Sequence, residues 1–545
     1  MKNLKKVIAI VLAAIMVMMT MAVPAFAGDD DLDPSVDASS KFKSVLYSII
    51  DKIISFALKI LNVIIPGRDW GKNWPKTEEY SSGDGFSAGD ATFTDTVSEN
   101  AVWSMGYAKA SLLTGLDVMD GTYFMGGSLE PLNGRTPERV VDDQQVVVYA
   151  ISDGSGIVVH AVIDCFGLPR GEVVKIRQDL AEWASENNVT SIQVSALHQH
   201  SCIDTLGLSA PLVRALLFNS AYSVVNADIS KYVQGVNPNF MANLYKYTEE
   251  CIKSAVAGMT EGTLSFGSID ASELIYDKRT PDNTQDDIFR LRFVPYDNSD
   301  EIWVVNINAH DVSFGASATE LSGDYPYYVR EYLAAKGIRC AYVQGAELAI
   351  TSDGDGVENW ASYTTDEERA KAMGKAFAEK LLAITEETVL EPTLNIASKE
   401  VKITADNGVL ILAVREGLIN ETVATDGSDL VMVTEIGYME LGGKVGVFFA
   451  PGELDPQIVW GTATGDVLTS EQTWTGATWD KTPIAEITDV DTLLCFGLAN
   501  DQIGYVLCSS DYRSILTENE EILAASHETA ENLVDAFAAL YAEVK

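Results

Sequence analysis

The sequence predicts a mixed α/β catalytic domain preceded by an amphipathic helix, and three observations predict it. Extended apolar runs alternate with helical ones from about residue 101 to 390. After Glu391-Pro392 the chain turns richer in strands and turns, then closes on a helix. Its 545 residues, 47% hydrophobic and 21% charged, suffice for a large core, and no Gly-X-Y period, heptad array or internal repeat suggests a fibre or solenoid. Lys and Arg total 38 against 79 acids, a formal charge of −41, which argues against a nucleic-acid partner because phosphate binding needs basic stripes.

Residues 1–27 read as a secretory signal peptide: a basic start through Lys6, an apolar run from Val7 to Met19, and Ala25-Phe26-Ala27 as the cleavage site. A secreted or extracytoplasmic protein is the expectation. Residues 28–40 form an acidic tether, and 41–66 an amphipathic helix closed by Pro66-Gly67. Within 42–65 the apolar residues from Phe42 to Ile65 recur at i, i+3, i+4 and i+7, while Lys43, Lys52 and Lys59 fill the other face. That stripe suits packing on the enzyme body, an oligomer contact, or a helix lying in a lipid interface as a peripheral membrane contact. Residues 67–100 read as a linker, with a Gly/Ser/Asp-rich stretch at 80–90.

In the body, strands are expected at 145–150, 156–164, 191–196, 288–294, 302–308 and 340–344. Helices are expected at 172–187, through most of 211–262, and at 324–336 and 365–385. Residues 101–390 are taken as the catalytic domain and 391–545 as the C-terminal part of the same catalytic unit. That part holds strands at 401–405, 408–415, 430–436 and 444–449, and a closing helix over 518–544. Six cysteines do not make a disulfide framework at this size, although Cys495 and Cys508 could close a hairpin.

Histidine is scarce, with five in the chain, so His198-Gln199-His200 after the apolar strand 191–196 carries information. Two imidazoles at this spacing suit zinc, or are two hydrogen-bonded surface histidines. His310 ends the 302–308 strand, and Glu453 stands on the turn after 444–449. Two histidine sites and one glutamate at three strand ends would hold a zinc with an open position for water, as in a hydrolase. Asp353-Gly354-Asp355-Gly356 hints at calcium, but Val357 stands where an oxygen ligand is needed, so it reads as a turn and leaves a second, structural cation unassigned.

These residues resemble the neutral ceramidases, zinc amidases that cleave N-acyl sphingosine. Ser195-Ala196-Leu197-His198-Gln199-His200-Ser201 is similar to their His-x-His signature, and Tyr276-Asp277-Lys278-Arg279-Thr280-Pro281 to an Asn-Arg-Ser-Pro loop. Asn308–Ser313, Leu321-Ser322-Gly323-Asp324-Tyr325, Val343-Gln344-Gly345, Ala450-Pro451-Gly452-Glu453 and Gly497–Asn500 with Tyr505 resemble further segments in the same order. The resemblance implies a neutral-ceramidase-like fold and one catalytic zinc held by His198, His310, Glu453 and Tyr505. It sets His200 and Arg279 beside the substrate carbonyl, as proton carrier and oxyanion donor. The family's catalytic serine aligns with Thr351, and Ser352 stands next to it. The loop Cys202–Thr205 departs from the family's Gly-Pro-Gly-Gly, and the chain ends near Lys545 with no room for the immunoglobulin-like domain of many members. The implied reaction is hydrolysis of a ceramide-like lipid amide to fatty acid and sphingosine. The alternatives are a zinc hydrolase of soluble N-acyl or cell-wall amides and a non-catalytic lipid-binding relative.

Overall fold

The computed structural model describes residues 74–78, 80, 92–127, 134–210, 235–280, 284–315, 317–415, 417–427, 429–463, 465, 478–512 and 520–545. The expected signal peptide, tether and amphipathic helix lie outside the described residues. Among these residues no helix is long and apolar enough to cross a membrane.

Eight strands of the larger sheet lie in the spatial order Ile338–Gln344, Glu301–Ile307, Asp287–Pro295, Thr260–Asp270, Trp103–Ser111, Gln145–Ser152, Ile157–Ile163 and Val189–Ala196. Thr388–Val389 joins beside Thr260–Asp270. The outermost pair at each edge is parallel and the interior pairs are antiparallel. Parallel neighbours need a crossover, and each edge has its helix: Arg170–Glu186 joins Ile157–Ile163 to Val189–Ala196, and Asp324–Ala334 joins Glu301–Ile307 to Ile338–Gln344. Two βαβ units therefore frame an antiparallel centre.

Strand Gln145–Ser152 is buried on both faces. Val146, Val148 and Ala150 join a core with Val173, Ile176 and Leu180 of helix 170–186 and with Phe240 and Leu244 of helix Pro238–Ala257. Val147, Tyr149 and Ile151 alternate to the other face, against a core that includes Phe449 and Phe496 of the second sheet. Each such side chain contributes about 1.5–3 kcal/mol when withdrawn from water. His160 belongs to this interior: Tyr149 and Ser195 satisfy its ring at 3.1 and 2.8 Å, and burial lowers its pKa to about 3.

The second sheet runs Leu394–Thr404, Asp429–Leu441, Val445–Phe449, Thr492–Phe496, with Val423–Asp426 paired to Asp429–Leu441. A buried ionic clamp ties it to the first βαβ unit. Arg177 reaches Glu435 at 2.8 and 2.9 Å, and Arg170 reaches Glu435 at 3.0 Å and Glu400 at 2.6 Å. Parts of the expected linker are fastened here too. Thr77 donates to Thr425 at 3.0 Å, Phe93 donates to Val544 at 2.8 Å, and the Phe93 ring stacks on Tyr438.

Several expectations change. Gly408–Arg415 is a helix, not a strand. A short apolar run does not reveal its period, and Asn407 accepts from the Leu410 amide to start the turn. The expected closing helix is a 3-10 turn, Glu520–Leu523, and a separate helix, Thr529–Val544, parted by a loop in which Thr529 accepts from the Ser526 amide. Strand Thr260–Asp270 begins where helix was expected, and Trp103–Ser111 is a strand whose mixed polar face hid it. All six cysteines are buried free thiols, so Cys495 and Cys508 form no bridge.

Candidate metal centre

The C-terminal ends of both βαβ units feed one place, although their strands lie at opposite edges of the sheet. Segment 497–500 links those edges. The Gly497 amide donates to Gln344 at 3.0 Å, Ala196 donates to Leu498 at 3.1 Å, and Asn500 donates to Val194 at 2.7 Å. The turn carrying Glu453 rests on the same segment, with Leu498 donating to Gly452 at 3.1 Å. Ligands at the C-terminal ends of strands in an open α/β sheet follow a general rule. Here the rule gathers His198, His310 and residue 347 beyond the large sheet, and Glu453 beyond the small one.

Backbone geometry at the site is strained. His198 has φ +61°, Ala349 +60° and Leu498 +46°, all in the left-handed region that disfavours a Cβ. Such conformations cost about 1–3 kcal/mol each and persist where the surroundings over-determine them. Gly452, at φ +74°, has no room for a side chain: a Cβ would stand 2.4 Å from the Gly504 carbonyl oxygen.

All three histidines have one ring nitrogen against a main-chain carbonyl. Nδ1 of His198 lies 2.9 Å from the Phe166 oxygen, that of His200 2.9 Å from Gly127, and that of His310 2.8 Å from Ile350. Carbonyls only accept, so Nδ1 carries a proton and Nε2 is the ring atom left to face the centre. The Nε2 atoms of His198 and His310 lie 3.1 and 3.4 Å from Oε2 of Glu453. The buried Nε2 atoms of His198 and His200 and Oε2 of Glu453 have no hydrogen-bond partner.

Two overlapping groups have ligand atoms all within 4.8 Å of one another: His198, His200 and His310, and His198, His310, Glu347 and Glu453. Oriented imidazoles, buried carboxylates and orphaned atoms suit a divalent metal of the zinc class. The residues present fit such an ion.

Charge supports the same arrangement. Burial, then the neighbouring His198 and His310, holds the His200 imidazole well below its ordinary range, and burial lowers His310 against the pull of Glu453. The His200 ring is therefore neutral at pH 7. Burial would raise Glu453, but His198 and His310 outweigh it and hold the carboxyl below its usual range. Burial, then Glu453 and Asp311, pushes Glu347 well above the ordinary carboxylate range.

The other expected residues stand at different distances from this centre. Tyr505 pairs with Glu453 in a short parallel ladder, and burial followed by the Glu453 charge keeps its phenol protonated. Thr351 is buried and bridges to His310 through the backbone, opposite Tyr276. Ser352 follows on the same strand, so its side chain points to the other face. Arg279 is not turned to an open position. Its guanidinium donates to Asp511 at 2.6 Å, Glu520 at 2.5 Å and Glu521 at 2.9 Å, and ties the 277–280 loop to Asp511 and to Glu520-Glu521.

Asp353–Gly356 is a turn: Asp353 accepts from the Asp355 amide and starts a 3-10 helix. Ser322-Gly323-Asp324 props the histidine loop. Gln199 donates to the Gly323 oxygen at 2.6 Å, and Ser322 donates to the Ser201 oxygen at 2.9 Å.

Two buried residues escaped the sequence reading. Arg135 reaches the carbonyls of Gly126, His200 and Ala318, and so fixes the loop beneath His200. Glu347 follows Gln344-Gly345-Ala346, and an acid set in the apolar run Ala346–Ile350 was the available signal.

A mostly apolar pocket lies beside the centre. Leu206, Leu410, Val414 and Met432 are among its walls, and Glu453 and Gln502 supply polar groups. Phe166 lines it and stacks on His198 at 4.3 Å between ring centroids.

No family model and no curated protein matches this chain. Solved structures do. Neutral ceramidase from Pseudomonas aeruginosa superposes with a TM-score of 0.58 at 14% identity, over 81% of this chain and 74% of that one. A ceramidase complexed with C2 gives 0.57 at 14% identity, over 81% and 75%. The chain has a neutral ceramidase-like mixed α/β fold.

Proposed function

We propose that this protein is a zinc-dependent amidohydrolase of the neutral ceramidase type, which hydrolyses the amide of N-acyl sphingosine to fatty acid and sphingosine. One observation carries the reading: His198, His310 and Glu453 converge, with Nε2 and Oε2 atoms 3.1 and 3.4 Å apart, at the wall of an apolar pocket. That pairing suits a lipid amide, whose acyl chain seeks the pocket while its carbonyl seeks the polar end. The fold likeness to ceramidases supports the same reaction class.

In this reading His198, His310 and Glu453 hold the metal, and Tyr505 stands beside Glu453. When bound, zinc supplies a Lewis acid that polarises the amide carbonyl and brings the pKa of water toward neutrality. His200 is neutral with Nε2 unpartnered, so it can take the proton of the attacking water at that atom and return it to the departing nitrogen. The C–N bond breaks as the new C–O bond forms, the water oxygen leaves in the fatty acid, and its protons divide between carboxyl and amine. Thr351, bridged to His310 through the backbone, or Ser352 next to it supplies the hydroxyl that hydrogen-bonds substrate in this reading. Arg279 reaches an oxyanion only by exchanging one of its carboxylate partners.

Export is part of the proposal, supported by the leader-like residues 1–27, as is contact with a membrane surface through residues 42–65. The test is release of labelled fatty acid from N-acyl sphingosine in detergent micelles, with and without a chelator. H310A serves as the control. Turnover lost to both treatments supports the proposal; turnover unaffected by either overturns it.

A further inference from the structure

Glu347 is fully buried, and neither of its carboxylate oxygens has a hydrogen-bond partner. A carboxylate in that state costs several kcal/mol unless a cation or a proton meets it. Nδ1 of His310 lies 4.0 Å from Oε2 of Glu347, but its proton is already donated to Ile350. The remaining demand for positive charge lies where His198, His310 and Glu453 converge, and Glu347 shares their 4.8 Å envelope.

The loop that carries Glu347 is held on both sides. Ala346 donates to Asn308 Oδ1 at 3.0 Å, close to His310 in sequence, and Leu348 donates to Leu454 at 3.0 Å, next to Glu453. Ile350 donates back to the Glu347 carbonyl at 2.8 Å. A Cβ on Gly345 would stand 1.8 Å from Asn308 Oδ1, so the loop is seated without slack. These contacts fix the backbone from which the Glu347 side chain leaves.

We propose that Glu347 is a further protein ligand of the metal, making a two-histidine, two-carboxylate centre from His198, His310, Glu347 and Glu453. Two carboxylates ionised against one bound dication would leave the buried site without net charge. This rests on the metal-site reading above and departs from the ligand set that the ceramidase resemblance implies, with Glu347 where that set has Tyr505.

Cobalt(II) in place of zinc tests it without any assay of turnover. Visible d–d bands report the ligand set, and competition with a chromophoric chelator reports affinity. Wild type is expected to bind one cobalt per chain. E347Q, which keeps the shape, is expected to bind at least about tenfold more weakly and to shift the d–d bands. E347D keeps the charge, withdraws the oxygens by one methylene and is expected to shift the bands too; it answers the question should E347Q fail to fold. Unchanged affinity and bands in both variants overturn the proposal. Weaker binding with unmoved bands also overturns it, because Glu347 then acts from outside the ligand set. A wild-type protein that takes up neither cobalt nor zinc overturns the metal reading itself, a result separate from loss of Glu347 alone.

Discussion

Nε2 of His198 and Oε2 of Glu453 lie 3.1 Å apart in the interior, each without a hydrogen-bond partner. His198 follows the last strand of the large sheet, and Glu453 follows Val445–Phe449 in the small one. Their approach is a product of the interface between the two sheets, and it defines the candidate centre.

Removing Glu453 should therefore cost more than removing any group outside the centre. E453Q is expected to lower kcat/KM for N-acyl sphingosine by more than the ~10–100-fold typical of outer-shell changes, and to lose bound metal in elemental analysis. Full activity in metal-depleted E453Q would contradict the assignment.

Gly452 gives a test of geometry without touching a ligand. In G452A the new Cβ meets the Gly504 oxygen at 2.4 Å and the backbone stays at φ +74°. A loss of about 1–3 kcal/mol in stability is expected, with weaker metal binding as Glu453 is displaced. Urea denaturation and metal titration read the two effects separately.

The clamp between the sheets should matter to stability. Glu435 serves both Arg170 and Arg177 with all three side chains fully buried, so E435A removes the carboxylate that the two guanidinium groups share and leaves Arg170 with Glu400 alone as its carboxylate partner. A loss of about 3–5 kcal/mol is expected. A denaturation midpoint within error of wild type would show that the clamp contributes little.

The pocket wall predicts chain-length selectivity. Val414 lies on helix Gly408–Arg415 and lines the pocket, so V414W should shorten the available space. KM is expected to rise several-fold for long-chain acyl amides and to change little for short ones. Equal effects on both would place the acyl chain elsewhere.

Asp277 links pH to stability. Burial raises its carboxyl to about 7, against hydrogen bonds from Arg279 and Thr280. An unperturbed aspartate has a pKa of 3.8, so between about pH 4 and 7 the folded state holds a proton that the unfolded state has released. Stability from this group is present at low pH and falls as pH rises through that window. D277N should flatten that part of the stability–pH curve, measured by urea denaturation across it.

Much of the fold is legible in the residues. Buried strands such as Gln145–Ser152 are continuous apolar runs bounded by turn residues, and helix Asp366–Ala383 announces itself with the Thr365/Glu368 capping box. Gly408–Arg415 is not legible, because eight mostly apolar residues fit a buried strand as well as a buried helix. Trp103–Ser111 hides for the opposite reason, since partial exposure breaks its alternation.

The site divides along the same line. Sequence by itself places His198, His310 and Glu453 at the ends of strands, because apolar runs that stop at a polar residue identify a strand end locally. Only the tertiary structure decides that those ends meet, that each Nδ1 is held by a carbonyl, and that Arg279 spends its donors on Asp511, Glu520 and Glu521. Glu347 belongs wholly to the second class: an isolated acid in an apolar run carries no local sign of its partners. Charge and hydrogen bonding act through space across separations that chain periodicity does not encode, so pattern alone shows the types of residue and their strand ends, and their company comes from the family resemblance and the tertiary structure.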